Sequence, residues 1–333
     1  MYFVRYVKMF YREALNLAID EMMEIDESVV ILGEDVGFYG GNYKVTEGLY
    51  AKYGEKRVID TPIAENSIVG IAIGMALGGL RPIAEIMTAN FAMLAMDQIV
   101  NNMAKLRYMS GGKIVLPMVV RMPQGVVKQL ASQHSQSLES LFAGIPGLRV
   151  FTASDCITAY HGLKTAIKLD DPVVFLEHTL LYFEKFDLPK DSFYNPFKAR
   201  VLKEGKDLTI FSYLKMVHDV LKVVDKIEST LNVSVEVIDV GPLNPLDLET
   251  LTNSVKKTKR FVIVEENPKH GGFGAQIVSS ILEECFYNLD APPLRIAGED
   301  VPIPYNRKLE LLSIPTPEKI YLKIVEWGKQ NGL

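Results

Sequence analysis

Short strand-forming runs alternate with helix-forming segments along almost the whole chain, and this alternation constrains the fold more than any other feature. The first set of runs reads VVILGE, RVID, RPIAEIM, PMVVRM, LRVFTA and PVVFLEH. Helical patterns lie between them, at residues 11–24, 65–78, 91–107 and 155–169. Several runs are apolar at successive positions, as strands buried on both faces of a parallel sheet are. The pattern predicts an α/β fold with a doubly wound, mainly parallel sheet.

The alternation stops after His178 and then resumes. The intervening segment TLLYFEKFDLPKDSFYNPFKARVLKEGKD mixes Pro, Lys and Asp without periodicity, and the runs LTIFSYL, VSVEVIDVG, RFVIVEEN and PLRIAGE follow it. A chain of 333 residues is also too long for one ordinary core. We therefore predict a first domain at 1–185, a linker at 186–206 and a second, smaller α/β domain at 207–333.

Composition excludes several classes of partner. A net charge of -5 gives no basic footprint for nucleic acid. The longest uncharged stretch, from Asn66 to Leu80, is shorter than the roughly 18 apolar residues of a membrane span. Two distant cysteines provide no disulfide framework, and the N-terminal residues carry no signal-peptide pattern. These features predict a cytoplasmic protein that binds neither membrane nor nucleic acid.

Three glycines recur at every fourth position in the segment ENSIVGIAIGMALGG, on one face of the predicted helix. Each mid-helix glycine costs up to about 1 kcal/mol relative to alanine, so the spacing favours close packing against another backbone, across a subunit interface. A buried core helix without a partner is the alternative. Glu65 begins this helix, where a carboxylate commonly interacts with the helix dipole.

The string E-x4-G-Φ-x-x-G, formed by Glu65, Gly70, Ile71 and Gly74, resembles that of the pyrimidine-binding domain of thiamine diphosphate enzymes. Further motifs extend the resemblance over essentially the whole chain: LGEDVGFYGGNYKVTEGL, YGEKRVIDTPIAE, RPIAEIMTANF, YMSGG, QHSQSLESLFAGIPGLRV, DDPVVFLEH and VEENPKHGGFG. In this order they resemble the β subunit of the decarboxylating component of 2-oxo acid dehydrogenase complexes. The resemblance implies a pyrimidine-binding domain followed by a transketolase C-terminal-like domain.

The resemblance also implies roles for four side chains. Glu65 would hydrogen-bond the aminopyrimidine ring of thiamine diphosphate, Glu34 would lie near the cofactor, and Phe91 would pack against the aminopyrimidine. His134, in the HSQ motif, would orient the 2-oxo acid and assist transfer to the lipoyl group. Structural alternatives remain for each: a helix-dipole carboxylate at Glu65, a loop cap at Glu34, a core aromatic at Phe91 and a satisfied surface histidine at His134.

One departure affects the HSQ motif. Many relatives have a glycine-rich run before it, whereas this chain reads GVVKQLASQHSQ. Lys128 and Gln129 are therefore expected to change the conformation or order of the loop that carries His134.

The metal-binding signature of the resembling enzymes, GDG followed by NN, is missing: no GDG occurs, and the pair Asn101–Asn102 lies in a helical pattern. The resemblance thus implies that an α subunit holds the magnesium and the diphosphate, in an α2β2 heterotetramer that docks on a lipoyl acyltransferase core. It also implies a potassium ion held by backbone carbonyls. By motif position the potassium ligands are Met118, Ala166, Leu169 and Asp171, although an ordinary helix-to-strand turn is the alternative.

The expected function is thiamine diphosphate-dependent oxidative decarboxylation of pyruvate or a branched-chain 2-oxo acid, with reductive acylation of a lipoyl domain. An acetoin-cleaving dehydrogenase of the same architecture and a noncatalytic assembly subunit are alternatives. A nicotinamide-dependent oxidoreductase is disfavoured because G-x-G-x-x-G does not follow the first strand. The glycines of HGGFGAQIV resemble a phosphate loop, but we interpret them as structural.

Overall fold

The computed structural model describes residues 6–126, 128–189 and 191–333. These residues form two compact units, each with its own sheet. Unit 1 comprises the described part of Met1–Gln124 together with Leu141–Pro196, and unit 2 comprises the described part of Gly125–Ser140 together with Phe197–Leu333.

Unit 1 is built on parallel strands. Its strands are β1 (Tyr6–Phe10), β2 (Val29–Gly33), β3 (Val58–Asp60), β4 (Arg81–Glu85), β5 (Val119–Gln124), β6 (Arg149–Thr152), β7 (Val173–His178) and β8 (Lys185–Pro189). Six of them lie side by side in the order β6-β7-β5-β4-β2-β3, and every pair in this series is parallel. The six runs predicted from the first half of the sequence are these six strands.

The helices of unit 1 cover this sheet. They are α1 (Tyr11–Ile25), α2 (Leu49–Tyr53), α3 (Glu65–Leu77), α4 (Leu106–Met109) and α6 (Cys156–Lys168), while α5 (Glu139–Ala143) spans the boundary with unit 2. Helix α1 buries its apolar residues at helical spacing and packs against α6. Helix α6 is capped at its N-terminus by Asp155, whose carboxylate accepts the Thr158 N–H.

The segment predicted as one helix at 91–107 is irregular. It forms a 3₁₀ turn at Phe91–Ala95, a π-helix at Gln98–Met103 and then α4. Side-chain hydrogen bonds from Asn101 to Asp97 and from Asn102 to Gln98 accompany the π turn. Apolar periodicity identifies the buried face of such a segment but does not distinguish among the three helical hydrogen-bond patterns.

Unit 2 contains a second sheet, in the order β14-β13-β10-β11-β9. The unit 2 strands are β9 (Arg200–Lys203), β10 (Leu208–Ser212), β11 (Val235–Asp239), β12 (Pro242–Asn244), β13 (Phe261–Pro268) and β14 (Leu294–Gly298). Its helices are α7 (Lys215–Leu221), α8 (Val224–Leu231), α9 (Leu248–Thr258), α10 (Gly274–Cys285), α11 (Arg307–Ser313) and α12 (Pro317–Gln330). Strand β9 runs antiparallel to β11 and the other pairs of this sheet are parallel, which together with unit 1 confirms the predicted α/β class with mainly parallel sheets.

Two strands lie in the segment that lacks periodicity. Strand β8 pairs antiparallel with β1, and β9 pairs antiparallel with β11. Both partners are distant in sequence, which explains why the local pattern did not reveal them. The domain limits 1–185, 186–206 and 207–333 stay a prediction, although β8 and β9 lie within or at the edge of the segment expected to be a linker.

No helix in the described part of the chain is long and apolar enough to cross a membrane.

Candidate functional site

Acidic residues gather at the carboxyl end of three neighbouring strands in unit 1. Gly33, the last residue of β2, lies opposite Asp60 of β3 on one side and Glu85 of β4 on the other. Glu34 follows Gly33 directly. A side chain at Gly33 would place its Cβ 2.7 Å from the Glu85 carbonyl oxygen, so only glycine allows this approach. Ligands of open α/β sheets bind outside such carboxyl ends.

Glu65 starts α3, four residues after Thr61, whose N–H donates to the Gly33 carbonyl. The Glu65 residue is 3% exposed. Among the described residues its carboxylate has no hydrogen-bond or ion-pair partner. A buried carboxylate without a partner is costly, so this position is suited to a ligand that offers a hydrogen-bond donor.

Glu34 is a second buried acid beside Glu65. Its Oε1 atom has no hydrogen-bond partner within residues 6–126, 128–189 and 191–333, and the same holds for Oγ1 of the nearby Thr61. Burial raises the pKa of the Glu34 carboxyl, and the negative charges of Glu65, Asp35 and Glu85 raise it further. The site thus combines two buried carboxyl groups with unsatisfied polar atoms.

Replacing Glu34 by Gln is expected to stabilise the protein at pH 7.5. Because the folded state raises the pKa of Glu34, it binds this proton more tightly than the unfolded state does, and the parent loses stability as pH rises above the unfolded value of about 4.3. The variant should therefore have the higher Tm at pH 7.5, and the two proteins should converge near pH 4. Glu249→Gln, at an exposed position, is the control. A variant less stable than the parent at pH 7.5 would contradict this account.

Sequence reasoning missed a buried cationic centre in the same unit. Arg121 of β5 is 1% exposed and forms ion pairs with Glu85 and Glu177. The Tyr182 hydroxyl donates to Glu177 at 2.6 Å. The signal was present as charged residues inside otherwise apolar runs, in RPIAE, VVRM and VVFLEH, because such charges are buried only when they are paired.

The glycine face of α3 is largely open within the described part of the chain. A Cβ at Gly74 would meet no atom within 4 Å, and one at Gly70 would meet only the Gln98 side chain at 3.7 Å. On the same helix Ile71 and Leu77 are 48% and 50% exposed. The alternative of a helix buried in its own core is therefore wrong, and packing against another chain stays a prediction.

Phe91 opens the 3₁₀ turn that follows β4 and is partly exposed. Its N–H donates to the Thr88 carbonyl at 2.9 Å, which places this aromatic residue after the carboxyl end of β4. Phe91, Glu34 and Glu65 thus belong to one unit, and two of them follow neighbouring strands of its sheet.

Three of the four carbonyls expected to bind potassium already accept hydrogen bonds. Met118 accepts from the Val173 N–H, Ala166 from the Leu169 N–H, and Leu169 from the Arg81 guanidinium at 3.1 Å. The Asp171 carboxylate pairs with Arg149. Each carbonyl has a second lone pair, so a potassium site remains a prediction. Within the described residues no group of three or more His, Cys, Asp or Glu side chains is arranged to hold a metal.

His134 belongs to unit 2, in a segment that we name the HSQ loop: residues 125–137, except 127, which lies outside the described residues. The Gly125 N–H donates to the Gln136 carbonyl at 3.0 Å and closes this loop. The His134 residue is exposed, and its N–H donates to Ala131. Gln129 and Ala131 adopt φ values of 64° and 62°, a left-handed conformation that glycine adopts without strain.

The HSQ loop forms one wall of a cavity of about 430 Å³ within unit 2. Its other lining residues include Glu266 and Pro268 from the end of β13 and Gly298 from the end of β14. Ser135 faces this cavity, and its buried hydroxyl has no hydrogen-bond partner among the described residues.

The glycines of HGGFGAQIV surround a buried carboxylate. The Gly274 N–H, at the start of α10, donates to Glu265 at 2.7 Å, and Arg295 pairs with the same carboxylate at 2.6 Å. A Cβ at Gly274 would lie 2.4 Å from Glu265 Oε1. The helix N-terminus is thus occupied by a carboxylate of the chain itself, which supports the structural interpretation of these glycines.

Gly274→Ala is expected to destabilise unit 2 by about 1–3 kcal/mol, because the added methyl group overlaps a carboxylate held by Arg295. Urea denaturation followed by fluorescence of Trp327, the only tryptophan and a member of the unit 2 core, measures the change. Gly271→Ala is the comparison. A Cβ at Gly271 would meet no atom within 4 Å, but the residue has φ of 75°, so any loss of stability in this variant comes from the backbone conformation. Equal stability of Gly274→Ala and the parent would contradict the predicted overlap.

Matches to known protein families cover both halves of the chain. Residues 7–184 match the transketolase pyrimidine-binding domain family, and residues 197–320 match the transketolase C-terminal domain family. The "Pyruvate dehydrogenase E1 component subunit beta" of Gracilaria tenuistipitata var. liui is 49% identical over 92% of this chain and 95% of its own length. A solved structure described as "Split gene transketolase, inactive beta4 tetramer" has a TM-score of 0.78 and 23% identity, covering 96% of this chain and 98% of that one, and it supports the fold.

A further relative corrects the predicted location. The "Pyruvate dehydrogenase E1 component subunit beta-2, mitochondrial" of Oryza sativa subsp. japonica is 47% identical over 94% of this chain and 84% of its own length. Its name points to an organelle, which contradicts the cytoplasmic location predicted here. The prediction rested partly on two cysteines, both buried and free, and such cysteines indicate a reducing compartment without identifying which one.

Proposed function

The chain belongs to the E1 β subunits of 2-oxo acid dehydrogenases, and from this membership we propose that it acts with a separate α subunit, as an α2β2 heterotetramer, in the thiamine diphosphate-dependent oxidative decarboxylation of pyruvate. The product acyl group would pass to a lipoyl domain of an acyltransferase core. Pyruvate is the proposed substrate because the relatives compared above are named for it.

The observation that carries this proposal is the buried, unpartnered carboxylate of Glu65 at the carboxyl end of the unit 1 sheet. When bound, thiamine diphosphate supplies the electron sink that makes loss of carbon dioxide from a 2-oxo acid possible. The protein must then position the cofactor and manage its protons. The residues around Glu65 fit this task, since they offer a carboxylate with a free acceptor in a water-poor setting.

Glu65 would hold or release a proton at a ring nitrogen of the aminopyrimidine. Glu34, whose raised pKa makes its carboxyl easier to protonate than an ordinary glutamate, would reduce repulsion between the two acids when it takes up a proton beside Glu65. Phe91 would pack against the aminopyrimidine ring and help to orient it. Each role uses a residue of unit 1.

His134 would orient the 2-oxo acid and assist acyl transfer. Its exposure and its place on a loop suit a residue that meets a substrate and a lipoyl group arriving from solvent. Imidazole is also the side chain that most often serves as a general acid or base.

The α subunit would supply the magnesium and diphosphate site. The chain has no GDG motif, and among the described residues no acid, His or Cys cluster is arranged for a metal. The exposed α3 face, with Ile71, Gly74 and Leu77, is the surface on unit 1 that we expect another chain to cover. Potassium at the carbonyls of Met118, Ala166, Leu169 and Asp171 would stabilise this unit.

The test is co-expression with an α chain that carries GDG and NN. The purified pair is assayed for carbon dioxide release from pyruvate and from 3-methyl-2-oxobutanoate, for acetoin cleavage, and for acylation of a lipoyl domain. We expect thiamine diphosphate-dependent activity from the pair, highest with pyruvate, and none from either chain alone. Activity of this chain by itself, or a pair inactive with every 2-oxo acid, would contradict the proposal.

A further inference from the structure

We propose that Glu266 and Glu310 are positioning residues that fix the HSQ loop and thereby the place of His134. This inference rests on the proposed role of His134 for its effect on turnover. The effect on the loop itself can be measured independently.

Glu266 closes the loop from the end of β13. The Glu266 residue is 7% exposed, and its Oε1 atom accepts hydrogen bonds from the Val126 N–H at 2.7 Å and from the Ser137 hydroxyl at 2.8 Å. These two donors lie at opposite ends of the HSQ loop. One carboxylate oxygen therefore holds both ends together, and hydrogen bonds to a charged acceptor are stronger than neutral ones.

Glu310 holds the middle of the same loop. It lies in α11, fully buried, and accepts the Gln129 N–H at 2.8 Å while pairing with Arg307. Gln129 itself has φ of 64°, and Ala131 has φ of 62°. For residues with a Cβ, the left-handed backbone conformation is higher in free energy than the usual ones, so surrounding contacts must hold them there. The bond from Gln129 to Glu310 is such a contact, at the point where this chain departs from a glycine-rich loop.

The two glutamates act on His134 through the backbone. Their contacts hold loop residues on both sides of His134. Loss of either carboxylate should release the loop without removing a group that touches substrate. A merely structural role would lower overall stability and leave the loop no more open than the rest of the unit.

Tryptic cleavage after Lys128 separates these cases. Lys128 is exposed and directly precedes Gln129, so cleavage there requires the loop to leave Glu310. In the full chain, Glu266→Ala and Glu310→Ala should be cleaved at this bond about tenfold faster or more, as expected from losing a charge-assisted hydrogen bond. Glu266→Gln keeps an acceptor oxygen, so cleavage after Lys128 should be slower in this variant than in Glu266→Ala.

The matched control is Glu236→Ala, which removes another buried glutamate of unit 2 that pairs with Lys257 and Ser254. Cleavage after Lys128 should stay at the parent rate in this variant. If Glu266→Ala and Glu310→Ala are cleaved there no faster than Glu236→Ala, the positioning role is overturned.

Turnover of the complex with the α subunit completes the test. We expect Glu266→Ala and Glu310→Ala to lower kcat at saturating pyruvate about tenfold, with recovery in Glu266→Gln, and His134→Ala to lower it at least as far. If His134→Ala keeps parental turnover, the role of His134 fails, and the cleavage assay alone decides whether the glutamates hold the loop. If His134→Ala is inactive while both alanine variants keep parental kcat, their positioning role is overturned.

Discussion

Replacing Glu65 by Gln is expected to lower turnover of the assembled enzyme by about 10²–10⁴-fold, the range that a positioned acid or base contributes. Gln has nearly the same shape as Glu and keeps one oxygen acceptor, but it cannot take up or release a proton. The Glu65 carboxylate has no partner among the described residues, so the substitution breaks no contact there. Fold and assembly should therefore be retained, and Tm should be no lower than that of the parent, because the substitution removes a buried charge beside Glu34.

The measurement is carbon dioxide release from pyruvate by the purified complex, with Tm and subunit stoichiometry recorded on the same samples. Glu318→Gln is the matched control, because Glu318 also occupies the first turn of a helix, α12, but is exposed. If Glu65 served only to interact with the helix dipole, both variants would lose a few tenths of a kcal/mol of stability and both would keep full activity. Parental turnover in Glu65→Gln would thus defeat the catalytic assignment.

The parallel core of this fold was predictable because its signal is local. Runs such as VVILG and VVFLEH are apolar at successive positions, and residues buried on both faces of a sheet must be so. The strands that were missed pair antiparallel with distant partners. In KFDLP only Leu188 is buried, so burial leaves no periodic pattern there. Pairing of β8 with β1 is a property of the tertiary structure, and the sequence of β8 alone does not contain it.

The candidate site was predictable only where a motif existed. Sequence strings typical of a family predict Glu65 and Glu34 as candidate site residues. In the structure Glu34 lies at the carboxyl end of β2. The HSQ loop was assigned to the first domain because it lies between two strands of unit 1. Its place in unit 2 agrees with its hydrogen bonds to Glu266 and Glu310, which lie 140 and 181 residues away from their loop partners. No local pattern encodes such a separation.

Arg121→Met is expected to destabilise unit 1 by about 3–5 kcal/mol, the usual result of removing one partner from a buried ion pair. Although burial alone lowers the pKa of Arg121, the carboxylates of Glu177 and Glu85 hold it well above the usual value, so the side chain is a fixed cation. Met fills much of the same volume but leaves two carboxylates buried without their cation. For a unit of this size the change corresponds to a fall in Tm of about 6–20 °C.

Hydrogen exchange at the amides of β5 reports unit 1, and Trp327 fluorescence reports unit 2 in the same sample, where no change is expected. Arg149→Met is the control, since Arg149 and Asp171 form a partly exposed pair at 3.0 Å that should be worth under about 1 kcal/mol.

Adding Glu85→Gln and Glu177→Gln to Arg121→Met should restore much of the lost stability, because the uncompensated charges disappear. The destabilisation caused by Arg121→Met should also become smaller as pH falls. Burial already raises the pKa of Glu85, and loss of the arginine removes the positive charge that opposes this rise, so the carboxylate takes up a proton more readily in the variant. A cost that is the same at pH 5 and pH 8, or no larger than that of Arg149→Met, would show that buried charge does not determine the stability of this centre.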